Sequence, residues 1–535
     1  MKGDQFELRR NLRLADSTAL VTGSMIGSGI FIVSADMARQ LGSPGWLLVV
    51  WGITGIMTLI AALSYGELAG MLPRAGGQYV YLREAYNPLT GFLYGWTLFL
   101  VIQTGTIAAV AMAFAKFTGV LIPWVSEKNI WLDLGYVKFN TVHIVAISSL
   151  MFLTWVNSRG IKTGKIVQNA FTATKVGLLI VFIVVGLIIF HGNGAFTTNK
   201  SIFWEARSVD EHGYTSLLTG FALVAVIGTS MVGSLFSSDA WNNITFTAGE
   251  IINPRRNIPL SLFLGTSIVT VIYLLMNFVY LYALPLRGDP SATNVMGQGM
   301  QFAVNDRLGT ASMSMLLGES ASLVMAVLVM ISTFGCNNGL ILSGARVYYA
   351  MAQDGLFFKK SGQLNKFGVP AVSLWVQCFW ASLLCLSGTY SNLLDYVVFA
   401  VLIFYVLTII AVFILRRRQP DAERPYKAFG YPVLPAIYIA LALVIMILLL
   451  RYKPEYTWPG LIIVCMGFPV YYFWKKNKTS KIDKNLLFFV SDLHGKENRY
   501  EKLFSAIKRE KPGLVLVGGD MLPSGILKSI IKHAE

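Results

Sequence analysis

About a dozen stretches of this chain run for roughly eighteen or more residues with few charges, which is the length a helix needs to cross a bilayer. Residues 174–190, 260–284 and 434–450 are examples. In hydrocarbon every backbone amide must be satisfied within its own segment, so such runs can only be helices. Charged residues make up 13% of the 535-residue chain and hydrophobic residues 55%. A soluble domain carries about a quarter charged residues, so buried helices of a large soluble core are excluded. Twelve spans are expected, near 17–40, 45–71, 88–120, 140–157, 165–190, 216–247, 258–284, 312–350, 372–388, 391–415, 432–451 and 457–474. The expected fold is an all-α membrane protein with a short α/β tail.

The formal charge of +16 could suggest a polyanionic partner, but its placement argues otherwise. With the N-terminus inside, the basic residues fall in alternate connections: Arg9, Arg10 and Arg13; Arg74 and Arg83; Arg159, Lys162 and Lys165; Arg255 and Arg256; Lys359, Lys360 and Lys366; Arg416, Arg417, Arg418, Arg424 and Lys427. The opposite loops carry at most two each. This is the positive-inside pattern, and it places both termini in the cytoplasm and the protein in the cell membrane. Basicity therefore belongs to the lipid interface, and no nucleic acid is expected. No cleavable signal peptide is expected, because the first apolar run is too long and follows thirteen polar-rich residues. The four cysteines, Cys336, Cys378, Cys385 and Cys465, all fall within apolar runs. None is placed to tether a disulfide-linked ancillary subunit.

The first run contains Gly23-Ser24-Met25-Ile26-Gly27-Ser28-Gly29-Ile30-Phe31, and a near-copy, Ser230-Met231-Val232-Gly233-Ser234, lies in the sixth. Glycine and serine clustered mid-membrane weaken a helix, and a break survives there only beside a polar cavity or inside protein. Spans one to five and six to ten have equal counts and opposite orientation, as a 5+5 inverted repeat requires. Paired breaks in matching positions of two repeats mark a transporter's substrate site. Amides of Gly27, Ser28 and Gly29 would meet a carboxylate at the positive end of a half-helix. Carbonyls of Met25 and Ile26, with those near Phe236 and Ser237, would meet an ammonium. The alternative is that these small residues only permit tight helix packing. Lys175 lies mid-span, and an intramembrane lysine is a functional hypothesis by default, with snorkelling as the bland alternative. Asp239 follows the serine pair Ser237-Ser238. Facing the pocket it would receive a cationic side chain; facing away it would be a structural partner for a basic residue or free amides. Asn337 and Asn338 put amide groups on the eighth span beside the site.

Ile26-Gly27-Ser28-Gly29-Ile30-Phe31, Phe236 with Trp241-Asn242, Glu250, and Asn253-Pro254-Arg255-Arg256-Asn257-Ile258-Pro259 together resemble an amino acid permease of the amino acid–polyamine–organocation superfamily. Pro73-Arg74-Ala75-Gly76-Gly77 and Arg346 through Ala350-Met351-Ala352-Gln353-Asp354-Gly355 strengthen the likeness, which is closest to the L-type amino acid transporter group and covers residues 15–475. The resemblance implies a LeuT-type fold and sodium-independent amino acid transport by alternating access, with a proton or a counter-amino acid as coupling partner. It implies that Ser28 and Gly29 bind the substrate carboxylate, that Phe236 is the gating aromatic, and that Trp241 and Asn242 support closure. It also puts Lys175 where sodium-coupled relatives hold sodium, bracing the broken helix or carrying a coupling proton. Relatives with a small residue in place of Asp239 take large neutral substrates. Polar Asn337 stands where the family can have an apolar pocket wall, which favours polar substrates.

After Trp474 the composition changes. Residues 475–484 form a basic linker, and 485–535 read as strand (486–491), helix (497–510), strand (514–517) and helix (525–533), with Leu503, Phe504 and Ile507 on one helical face. About 50 residues bury too little to be stable alone. Asp492-Leu493-His494-Gly495 and Gly518-Gly519-Asp520 resemble the first two motifs of calcineurin-like metallophosphoesterases, which build a two-metal site. The later ligand motifs of that family are absent, so Asp492, His494 and Asp520 read as vestigial and the tail as a truncated fragment. No enzyme activity and no cofactor are expected. A membrane-anchored phosphoesterase and a transporter-derived amino acid sensor are the competing readings.

Overall fold

The computed structural model describes residue 8 and residues 10–133, 138–209, 215–387, 390–476, 483–491, 497–510 and 512–518. The chain divides into two units, Met1–Phe468 and Pro469–Glu535.

In the first unit the helices are α1 (Leu14–Met25), α2 (Val33–Leu41), α3 (Pro44–Met71), α4 (Gln78–Ala85), α5 (Pro88–Thr97), α6 (Gln103–Leu121), α7 (Thr141–Ser158), α8 (Ile161–Ile189) and α9 (Ala195–Ser201). They continue with α10 (Gly220–Ser237), α11 (Asn243–Phe246), α12 (Pro254–Ala283), α13 (Val295–Gln298), α14 (Leu308–Leu317), α15 (Ala321–Gln353), α16 (Ala371–Ser387), α17 (Tyr390–Arg418) and α18 (Val433–Tyr452). Helix α19 (Pro454–Lys476) crosses from one unit into the other. Two small antiparallel hairpins, β1 (Ile130–Asp133) with β2 (Lys138–Asn140) and β3 (Arg207–Val209) with β4 (Thr215–Leu217), sit in connections between long helices.

Among the described residues ten helical segments are long and apolar enough to cross a membrane, and the protein is a multi-pass membrane protein. Two of the expected spans are not among these ten. The first is not one helix but the pair α1 and α2, and the ninth, α16, has only 17 residues. The expected eighth span also splits, because Gly318, with φ +56°, ends α14 three residues before α15 begins. The fifth and sixth helices are joined through one π-type turn, Leu98–Ile102, so the third span is bulged.

The interior of the bundle is held by α15, which packs along α6, α7 and α16 through Ile107, Leu150, Leu340, Ile341 and Leu374, all almost fully buried. Helix α12 lies against α3 and α1. Gly265 on α12 lets Val21 of α1 approach so closely that any side chain there would collide with it. This contact fixes α1 beside α12.

In the second unit β5 (Asp483–Ser491) pairs in parallel with β6 (Pro512–Gly518), with α20 (Glu497–Glu510) as the crossover. Residues Asp492, His494 and Asp520, and the expected helix 525–533, lie outside the described residues.

Candidate functional site

Helix α1 stops at Met25. Ile26 is extended (φ −78°, ψ 96°), and a single turn, Gly29–Phe31, precedes α2. The stretch that holds Gly27, Ser28 and Gly29 is thus where the helix opens, as its composition requires. Ending a helix orphans carbonyls on one side and amides on the other, and the surrounding helices take up the carbonyls. The Lys175 ammonium, fully buried on α8, donates to Gly23 O (2.6 Å), Ile26 O (2.6 Å) and Ser332 O (3.3 Å). The Ser332 hydroxyl on α15 reaches Ile26 O (3.1 Å) and Gly27 O (2.9 Å), and the Cys336 thiol reaches Ser24 O (3.0 Å). On α12, the Tyr273 hydroxyl lies 3.1 Å from Met25 O and 3.0 Å from Ser237 O, and Tyr280 donates to Ile30 O (3.2 Å). In contrast, the amides of Gly29 and Ile30 have no backbone acceptor among the described residues.

This partition corrects one expectation. The Ile26 carbonyl accepts from the Lys175 ammonium at 2.6 Å, with the Ser332 hydroxyl shared between it and Gly27 O, so in this conformation that oxygen serves the brace. Met25 O shares the single Tyr273 hydroxyl proton with Ser237 O. The donor end of the break keeps main-chain amides without backbone acceptors among the described residues, and the acceptor end is used for bracing.

The second break is not at the repeated motif. Helix α10 runs unbroken through Ser230–Ser234 and ends at Ser237, where Ala240 takes φ +66° before the short α11. The reason is local: serines 230, 234 and 237 turn their hydroxyls back onto their own helix, at Ile227 O, Met231 O and Gly233 O, and leave its ladder intact. A left-handed conformation at a non-glycine residue is what finally ends it. The two breaks nevertheless meet. A Cβ added to Gly29 would stand 2.2 Å from Ser237 Oγ and 3.2 Å from Ser237 Cα, so only glycine allows this approach.

Phe236 lines an open vestibule of about 910 Å³ that also touches Ile32, Val33, Ser230 and Gly233. Asp239, Trp241 and Asn242 point away from it. Asp239 accepts a short hydrogen bond from the Tyr405 hydroxyl on α17. The Ala240 amide also reaches this carboxylate, so Asp239 serves as a structural partner with a backbone amide and a phenol rather than a basic residue. Trp241 meets Tyr65 and Tyr405 edge-on or tilted, with centroids 4.8 and 5.1 Å apart. Asn242 donates to Gln78 Oε1 (2.9 Å), and Gln78 in turn donates to Thr408 Oγ1 (3.0 Å) and Phe404 O (3.1 Å). Ser238 is buried, and its amide caps back onto Ser234 O. Together these residues form a polar and aromatic seal under the break.

Asn337 is 2% exposed, its side-chain oxygen has no hydrogen-bond partner, and it does not line the vestibule. Its neighbour Asn338 is framework, bound to Asn157, Gly164 O and Gln168. Farther along the sealed end, Glu250 and Arg346 form a buried bidentate pair (2.9 and 3.0 Å). Tyr79 and Arg83 both bind Asp354, and burial, with that carboxylate, pushes the Tyr79 phenol well above its ordinary range.

Sequence reasoning did not single out Tyr273, Ser332, Tyr405 or Gln78. The only signal was the seven-residue spacing of Tyr273 and Tyr280, which puts two hydroxyls on one face of α12.

A bundle whose first helix opens into a glycine-lined gap, with a vestibule on one side and a seal on the other, defines a membrane transporter. The amino acid permease family model matches residues 12–471, and the chain belongs to that family. Large neutral amino acids transporter small subunit 2 of Mus musculus is 27% identical over 472 residues, 88% of this chain and 82% of that protein. The b(0,+)-type amino acid transporter 1 of the same species is 27% identical over 87% of this chain and 88% of its own length. Serine/threonine exchanger SteT of Bacillus subtilis is 29% identical over 88% of this chain and 98% of its own length. The protein is an amino acid transporter rather than an enzyme, and the match ends before the tail begins.

Proposed function

We propose that the chain is a secondary transporter that exchanges neutral α-amino acids across the cytoplasmic membrane by alternating access, without sodium. The carrying observation is the close approach of Gly29 to Ser237, the residue that follows Phe236 on the vestibule wall. A zwitterion entering past Phe236 would place its carboxylate on the amides of Gly29 and Ile30 and the hydroxyl of Ser28. Phe236 then closes over it.

The brace supports exchange over proton coupling. All three donors of the Lys175 ammonium are held by main-chain oxygens, so it acts as a fixed cation in the break rather than a mobile carrier. A fixed cation on those carbonyls also removes the need for sodium. Neutral substrates follow from Asp239, whose carboxylate is turned into the seal and bonded to Tyr405 instead of facing the vestibule. The reading extends to twelve membrane crossings, ten long helices with the α1–α2 pair and α16, arranged as two five-span inverted repeats with both termini cytoplasmic. The tail contributes nothing to it, and its resemblance to a phosphoesterase fragment stays an expectation.

The test is counterflow in proteoliposomes with a panel of amino acids. Serine, threonine and larger neutral residues should drive exchange in sodium-free buffer at equal internal and external pH, and lysine and arginine should not. Ser28→Trp should abolish it. Uptake that requires a proton gradient, or exchange of arginine in preference to threonine, would overturn the coupling or the substrate class respectively.

A further inference from the structure

The vestibule wall is electrostatically lopsided. Five basic and three acidic side chains line it. All three carboxylates are engaged: Arg39 holds Asp306 (2.6 Å) and Asp36 (3.5 Å), and Lys116 holds Glu127 (2.8 Å). The Arg307 side chain is left with no carboxylate or hydrogen-bond partner among the described residues. Its guanidinium instead lies over the ring of Phe117, 5.0 Å from the centroid.

The backbone holds it there by unusual means. Asn305 and Asp306, immediately before it, both take positive φ (52° and 57°), although neither is glycine. Asn and Asp tolerate this region better than other side-chain-bearing residues, so the sequence here suits a tight turn. The Arg39–Asp306 pair pins this turn to α2 and leaves the next side chain over the cavity. Immediately beyond it, α14 packs on the turn that follows the first break: a Cβ on Gly309 would lie 3.1 Å from the Phe31 ring. The free guanidinium thus lines the same vestibule as Ile32, which follows the first break, and Phe236, which precedes the second.

We propose that Arg307, seated on Phe117, is an outer docking site for the α-carboxylate of an incoming amino acid, occupied before the substrate reaches the break. A guanidinium presents a planar fork of donors that matches a carboxylate, and a half-buried one over an aromatic face is already partly desolvated. The ring offers an apolar surface to the substrate side chain. Two sequential sites that share one chemistry, a carboxylate on N–H donors, let the ligand descend without losing that interaction. The inference rests on the reading that the vestibule admits amino acids, but not on whether they are moved.

The experiment uses the full-length protein and L-threonine, measuring binding in detergent and exchange in proteoliposomes. Arg307→Gln should raise Kd and the half-saturation concentration about threefold to tenfold and leave the maximal exchange rate unchanged, the pattern of a lost uniform binding interaction. Arg307→Lys should recover part of the affinity. Lys128→Gln removes one vestibule charge without the aromatic platform and should change Kd less than twofold. Butyrate has a carboxylate and no ammonium, so it should compete weakly with threonine in the unaltered protein and not in Arg307→Gln.

Equal binding by Arg307→Gln and the unaltered protein, or an equal loss in Lys128→Gln, would overturn the proposal. So would butyrate competition that survives the substitution, or competition by chloride and sulfate as strong as that of butyrate. If Arg307→Gln does not fold, Arg307→Met removes the same charge and keeps an apolar stem on Phe117, and butyrate competition that survives it overturns the proposal in the same way. Threonine that binds in this pattern but is not exchanged would defeat the transport reading and leave the docking site standing. Failure of the whole amino acid panel to bind would defeat both.

Discussion

Lys175 faces three main-chain oxygens across 2.6 to 3.3 Å, two of them on the opened end of α1 and one on α15. Removing the ammonium leaves those oxygens buried with fewer donors, and each unmet acceptor costs roughly 1–3 kcal/mol. Lys175→Met keeps the length and apolar stem of the side chain. It should lower the melting temperature of the purified protein by several degrees and reduce exchange at least tenfold, since the gap between α1 and α2 loses its brace. Melting and exchange both close to those of the unaltered protein would show that Ser332 alone holds the break. Lys175 was readable in the sequence because a charge inside an apolar run stands out. Tyr273 and Tyr405 were not: a tyrosine in a membrane helix is ordinary, and their partners, Met25 and Asp239, lie 248 and 166 positions away. Asp239 shows the same limit in reverse. Its charge was conspicuous, but its direction depended on which side of Ala240 the helix turned.

At the scale of elements, the two breaks differ in how they announce themselves. The first is written in composition, since Gly27, Ser28 and Gly29 all disfavour helix, and it falls where they stand. The second has Ala240 at its turning point, φ +66°, and alanine is the residue least suggestive of a break. The serine-rich echo at 230–234 drew attention one to two turns too early, because serines that bond back to their own helix leave it continuous. Left-handed backbone costs an L-residue about 1–2 kcal/mol, and more for a β-branched side chain. Ala240→Val should therefore destabilise the protein and slow exchange, whereas Ala240→Gly should retain or slightly raise its melting temperature. Both are read by thermal unfolding of purified variants followed by counterflow. A valine variant as stable as the glycine variant would mean that the turn at 240 is not the conformation of the working protein.

Across the whole molecule, one end of the bundle is open and the other is tied shut by ion pairs contributed by many elements. Asp16 on α1 holds Lys165 on α8 (2.9 Å), Glu67 on α3 holds Arg416 on α17 (2.6 Å), Asp354 binds Arg83, and Glu250 binds Arg346. The last pair is the most deeply buried, 1% exposed on both sides, and it joins the segment after the second break to α15. The same Glu250 uses its backbone carbonyl to accept from Asn11 and Leu12, so the entry to α1 closes on the same residue. Breaking a buried pair by removing one partner typically costs about 3–5 kcal/mol, because the other charge is stranded. In a two-state protein that penalty need not unfold the chain; it can be relieved by opening the sealed end to water. Glu250→Gln should thus shift the population toward a conformation open at that end. Thr408, fully buried within the seal, reports it. In a Cys465→Ser background, which removes the one exposed native thiol among the described residues, Thr408→Cys should react slowly with a thiol reagent, and adding Glu250→Gln should speed that reaction at least several-fold. Thr229→Cys, on the vestibule wall, should react more slowly after the same substitution, because opening one end closes the other. Faster labelling at both positions would mean local unfolding. Opposite changes at the two positions are what an exchanging transporter requires: a seal and a vestibule coupled through the same two broken helices.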